Sequence, residues 1–130
     1  MKKITFSLLA ALSLLLTFAV SPASAQKQKD PCANAQTQME LNDCQAREYK
    51  KADAALNTAY KQLMAKVDDE GERGALKAAQ LAWIKYRDAN CEFESYLNKG
   101  GTMYSMVYDG CLTTLTEERT RHLREMLNNR

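Results

Sequence analysis

Four cysteines, Cys32, Cys44, Cys91 and Cys111, lie beyond an N-terminal leader in a chain of 130 residues, and they constrain the fold more than any other feature. The leader starts with Lys2 and Lys3, runs apolar through Leu8, Leu12, Leu16 and Val20, and closes on Pro22 and Ala23-Ser24-Ala25. This is the pattern of a secretory signal peptide cut after Ala25. Read instead as a membrane anchor, the run falls short of the roughly 20 apolar residues a spanning helix needs. Gln26, not cysteine, stands directly after the cut, so the usual acceptor of a lipid anchor is missing. The expected product acts in the periplasm or outside the cell.

Beyond residue 25 the chain is one small domain, and small exported domains lean on cross-links because their cores bury little. Two disulfides are expected, with three pairings open. There is no C-x-x-C, and no histidine stands near a cysteine in sequence. Without Lys2 and Lys3 the chain carries sixteen basic and sixteen acidic residues. A neutral domain with no basic run is a poor reader of nucleic acid, which requires a concentrated positive face. A protein partner or a cell-wall component fits better.

The chain divides into the signal peptide (1–25), a polar segment with a short helix around Pro31 and Cys32 (26–36), and a helical domain (37–130). Thr37-x-x-Glu40 has the capping-box form and predicts a helix start. From there Leu41, Cys44, Tyr49, Ala52, Leu56, Tyr60, Leu63 and Val67 recur on one side for about eight turns. Asp68-Asp69-Glu70-Gly71-Glu72 interrupts the pattern. A second apolar series follows: Leu76, Ala79, Trp83, Tyr86, Phe93 and Leu97, ended by Asn98-Lys99-Gly100-Gly101. A third runs from Met103 through Val107, Cys111, Leu115, Arg119, His122, Leu123 and Met126, as one helix unless a break at Thr114-x-x-Glu117 restarts it. No stretch alternates with the period of a strand. The fold expected is all-α: a three-to-four-helix up-down bundle stapled by two disulfides.

Hairpin geometry sharpens this expectation. A turn near residue 70 sets level those residues whose numbers sum to about 140, so Asp53 faces Arg87 and Asn57 faces Trp83. A turn near residue 100 brings Cys91 level with Cys111, and a bend before Thr37 does the same for Cys32 and Cys44. Twelve residues of unbroken helix would hold Cys32 and Cys44 roughly 18 Å apart. A disulfide requires Cα atoms within about 4.4 to 6.8 Å, so the bend is needed for that pairing.

The combination Cys32, Thr37-Gln38-x-Glu40-x-Asn42-x-Cys44, Asp53-x-x-Leu56-Asn57-x-x-Tyr60, Gln80-x-x-Trp83-Ile84-x-Tyr86-Arg87-Asp88-x-x-Cys91, Gly100-Gly101, Cys111 and Thr116-x-x-Arg119-x-x-x-Leu123 resembles the LprI-like lysozyme-inhibitor family. The resemblance spans nearly all of the chain beyond the leader. It implies an exported, disulfide-bonded helical domain that inhibits lysozyme. The name-giving inhibitor is a lipoprotein, and this chain departs from it in lacking the lipidated cysteine. The resemblance supplies no catalytic residues.

Three groups of residues compete for a binding role. Trp, Tyr and Arg dominate interface hot spots, but Trp83 and Tyr86 fall on the expected buried stripe. With Arg87 level with Asp53, and Asn57 one turn on, that segment reads as packing around a structural polar layer. Asp68, Asp69 and Glu70 form an acidic turn that is either solvated or steers a basic partner such as lysozyme. Gly100, Gly101, Met103, Tyr104, Met106 and Tyr108 carry more apolar surface than one helical stripe buries, and are the leading partner surface. His122 and Met126 are a weak metal pair, so neither metal nor cofactor is expected. Disulfide-bonded thiols and a lone histidine leave no evident catalytic set. The expectation is therefore a binding protein rather than an enzyme, with lysozyme as partner, or alternatively another envelope protein or peptidoglycan.

Overall fold

The computed structural model describes residues 30–130, so the leader, its cleavage point and residues 26–29 lie outside the described residues. Three helices follow in order: α1 (Gln38–Lys66), α2 (Glu70–Ser95) and α3 (Tyr104–Asn128), with a 3-10 turn at Tyr96–Asn98. The capping box forms as the sequence requires. Glu40 N–H donates to Thr37 Oγ1, while Glu40 Oε2 accepts from the N–H groups of Thr37 and Gln36, which satisfies donors a helix start leaves open. At the other end of α1, Arg73 donates to the carbonyls of Met64 and Val67 and closes the hairpin into α2. α3 runs unbroken through Gly110 and Thr114.

One detail of the expected segmentation differs. Residues 31–34 form a hydrogen-bonded turn, not a short helix, with Ala35 N–H donating to the Cys32 carbonyl. Six residues between Asp30 and the Thr37 cap leave no room for more than one turn once Cys32 is drawn back onto α1. The Cys32–Cys44 bond spans a Cα separation of 5.8 Å, and Cys91–Cys111 one of 5.5 Å. Both expected pairings are formed.

α1 and α3 pack most extensively, running parallel to each other with α2 antiparallel to both. Alanine makes that closeness possible: Ala52 and Ala59 are buried on α1 opposite the buried Thr116 and Thr120 of α3. Leu56, Ala59, Leu63 and Leu123 form the core, with Tyr60, Leu76, Trp83, Met126 and Leu127 against it.

The second helix is turned otherwise than its apolar series suggests. Leu76 and Trp83 face inward, but Ala79, Tyr86, Phe93 and Leu97 are exposed, and the buried positions are Gln80, Arg87, Cys91 and Ser95. The Cys91–Cys111 bond sets this rotation. Phe93 lies two residues, about 200°, round the helix from Cys91, so a helix that directs Cys91 at α3 must direct Phe93 away. On α3 the buried line is likewise Leu112, Thr116, Thr120 and Leu123, while His122 is exposed.

Candidate functional site

Arg87 is the most enclosed charge among the described residues, and the α2·α3 interface is built around it. Its guanidinium donates to Asp88 and, at 3.3 Å, to the buried Thr116 hydroxyl, and lies 3.9 Å from Asp53. It also stands over the rings of Tyr49 and Trp83, 5.5 and 5.2 Å from their centroids. Arg119 covers Trp83 at 5.9 Å and donates from Nε to the side-chain amide oxygen Oε1 of the buried Gln80 at 3.0 Å. A guanidinium can be desolvated at such a site because its planar, weakly hydrated group stacks on rings while its edge donates. Asn57 donates to Asp53 at 2.9 Å, so Asp53, Asn57 and Arg87 lie together along α1 and α2. Burial raises the Tyr49 hydroxyl above its usual range, with Arg87 opposing, and lowers the Arg119 guanidinium. The guanidinium donors of this layer are taken up by the acceptors Asp88, Thr116 and Gln80.

At the opposite end of α2 from its N-terminus, Gly100 turns the chain with φ 80°, a left-handed conformation that glycine adopts without steric cost. The turn is braced from three sides. Glu92 accepts from Lys99 Nζ at 2.7 Å and from the Tyr104 hydroxyl, and Asn42 on α1 donates to the Thr102 carbonyl at 2.9 Å. These bonds hold the Glu92 carboxyl below its usual range, through Lys99 first and Tyr104 second, and raise Lys99 and Tyr104. Tyr104 stacks on Tyr108 with centroids 5.8 Å apart, and Met106 reaches toward the Gln38 amide. Tyr104, Met106 and Tyr108 are half-buried. The side chains that project are Leu97, 96 % exposed, and Met103, 46 % exposed, on either side of Gly100 and Gly101.

The acidic turn lies at the far end of the bundle, beyond the 26 residues of α2 and so about 39 Å from the apolar tip. Much of its charge serves the fold. Asp69 caps α2 by accepting from Glu72 N–H at 2.8 Å, and Glu72 pairs with Arg130. Glu70 approaches only Arg73, at 3.9 Å, with a nearly fully exposed side chain. His122 meets Arg119, and Met126 packs on the core, so the two do not form a site. Sequence reasoning missed the outward aromatic face of α2, Tyr86 and Phe93, because it assigned both to the core.

Among the described residues no helix is long and apolar enough to cross a membrane, and no three His, Cys, Asp or Glu side chains are grouped to hold a metal. The profile of the family described as "Lysozyme inhibitor LprI" matches residues 29–123. An uncharacterised protein of Rhizobium meliloti (strain 1021) is 41% identical over 131 aligned positions, covering 92% of this chain and 94% of that one. The crystal structure of a DUF1311 family protein of Pseudomonas putida KT2440 superposes with a TM-score of 0.68 at 25% identity, covering 75% of this chain and all of that one.

Proposed function

The chain belongs to the LprI lysozyme-inhibitor family, and from that membership we propose that it is a non-catalytic protein that inhibits lysozyme by seating its apolar tip in the substrate cleft. The observation that carries the reading is the exposure of Leu97 and Met103 on a turn already fixed by hydrogen bonds. A convex apolar tip suits a concave, mostly apolar site. Because the turn is held before contact, little further ordering opposes binding. Gly100 and Gly101 keep the crest of the turn narrow, while Tyr104, Met106 and Tyr108 support it from beneath and offer their remaining exposed edges to the rim. Asp68, Asp69 and Glu70 act through long-range attraction to a basic lysozyme.

The setting is the periplasm or the outside of the cell, reached through the N-terminal signal with cleavage after Ala25. Disulfide bonds fit that setting, since oxidising compartments preserve them.

A lysozyme turbidity assay tests the proposal, using residues 26–130, which hold the whole described fold, against an animal-type lysozyme. Inhibition saturating near equal molar amounts is expected, and loss of most of it in Leu97→Ala with Met103→Ala. No inhibition at large molar excess would turn the reading toward another envelope protein or peptidoglycan. Inhibition that survives the tip substitutions would leave the activity and reject the surface.

A further inference from the structure

We propose that this chain forms a two-fold symmetric homodimer by pairing the outer faces of two α2 helices, antiparallel, with Tyr86 of each copy level with Ala89 of the other. Along that face Ala79, Ala82, Tyr86, Ala89, Phe93 and Tyr96 follow steps of three and four residues, and every one is exposed. Such spacing is the seam of a two-helix coiled coil. It lies directly opposite the face that Arg87 and Cys91 turn into the bundle, so nothing in the described fold covers it.

The order of sizes along the seam selects the occupant. In an antiparallel pair whose facing residues sum to 175, Ala79 meets Tyr96 of the second copy, Ala82 meets Phe93, and Tyr86 meets Ala89. Each layer then holds one ring and one methyl group, which allows helices to approach at the roughly 8 Å that small residues permit. A parallel pair would set ring on ring at three layers and methyl on methyl at the other three, leaving uneven gaps. Charge agrees with the antiparallel choice. Lys85 and Glu92 occupy the same flanking position of successive heptads, so the antiparallel pair sets each Lys85 beside Glu92 of the other copy, whereas a parallel pair would set like charges level.

The size of the patch is also adequate. Tyr86, Phe93 and Tyr96 are 57, 79 and 61 % exposed. With about 200 Å² for each aromatic side chain, the three rings supply about half of the roughly 800 Å² per partner of a standard interface. The alanines and the Lys85 stem extend it toward the lower end of the specific range, so a dissociation constant in the micromolar range is expected. The dimer does not depend on the lysozyme reading, since its seam runs from Ala79 to Tyr96 and the tips project beyond it at opposite ends.

Sedimentation of residues 26–130 between about 5 and 500 μM tests it, with a doubling of mass expected across that range. Phe93→Glu should raise the dissociation constant at least tenfold while leaving the circular dichroism spectrum and the thermal midpoint at low concentration unchanged. Ala82→Phe should also weaken the dimer, and Ala82→Phe combined with Phe93→Ala should recover it, because that pair of changes exchanges ring and methyl within one layer. A wild-type chain that stays monomeric at 500 μM, or a dimer indifferent to Phe93→Glu, overturns the proposal. A double variant no tighter than Ala82→Phe alone overturns the register.

Discussion

Arg87 and Tyr86 are neighbours in sequence with opposite fates, and stability measurements should separate them. Removing the Arg87 side chain strips its hydrogen bonds from Thr116 and Asp88 and uncovers the Tyr49 and Trp83 rings. Asp53 and Asp88 are half-exposed and can return to water, so the loss falls below that of a fully buried pair. Arg87→Ala should cost about 2 to 3 kcal/mol in urea unfolding, and Arg87→Lys should recover little because an ammonium cannot donate in a fork. Tyr86→Ser, tested at low micromolar concentration, should stay within about 0.5 kcal/mol of the parent. Equal losses would mean that α2 is rotated otherwise than described. The sequence could reveal the level of Arg87 with Asp53, since hairpin arithmetic needs only the position of one turn. It concealed which residues of α2 and α3 are buried, because Gln80, Arg87 and Ser95 on α2 and Thr116 and Thr120 on α3 look polar until their partners are known. A clue was nevertheless legible: pairing Cys91 with Cys111 and burying Phe93 are incompatible on one helix.

The elements are joined by two cross-links and a braced turn, and each has its own expected failure. In the chain-entropy view the loops closed by Cys91–Cys111 and Cys32–Cys44 each contribute about 3 kcal/mol, but they restrain different things. Cys91–Cys111 sets the rotation of α2 against α3, so Cys91→Ser with Cys111→Ser should lower global stability by about 3 kcal/mol. Cys32–Cys44 ties only a turn to α1. Its removal should release amide protection in residues 30–36 ahead of any loss in the helices, which hydrogen exchange would resolve. The braced turn carries the pH dependence. The Glu92 carboxyl is lowered from its ordinary 4.5, so its contribution is present above pH 4.5 and disappears as pH falls through the lowered folded value. Lys99 is raised from 10.5, so its share is present below pH 10.5 and is lost as pH rises through the raised folded value. Exchange protection at residues 99–104 should therefore hold at pH 7 and fall at pH 3 relative to α1. Glu92→Gln should show the lower protection already at pH 7; undiminished protection there would mean that the carboxylate does not brace the turn. The break at Asn98 to Gly101 was legible from glycine and asparagine, but the brace was not, since Glu92, Asn42 and Tyr104 meet only after the bundle forms.

Over the whole molecule, the length of α2 decides how the two expected partner surfaces divide their labour. The acidic turn and the apolar tip stand at the two successive hairpin turns the sequence predicts, and the 26 residues of α2 set about 39 Å between them. At physiological ionic strength charges are screened over about 8 Å, so the acidic turn cannot strengthen contacts made at the tip. It can act only on the approach of a basic partner, and then feebly, because Glu72 is paired with Arg130 and Asp69 is engaged as a helix cap. Asp68→Ser with Glu70→Ser should thus change the association rate with lysozyme by less than twofold near 0.15 M salt and leave dissociation untouched. Leu97→Ala with Met103→Ala should do the reverse, raising the dissociation rate tenfold or more while association stays nearly constant, as expected when contacts close to the interface centre are lost. Surface-immobilised lysozyme with each variant passed over it would measure both rates. A large dissociation effect from the acidic pair would put the contact at the α1–α2 end and displace the tip as the inhibitory surface.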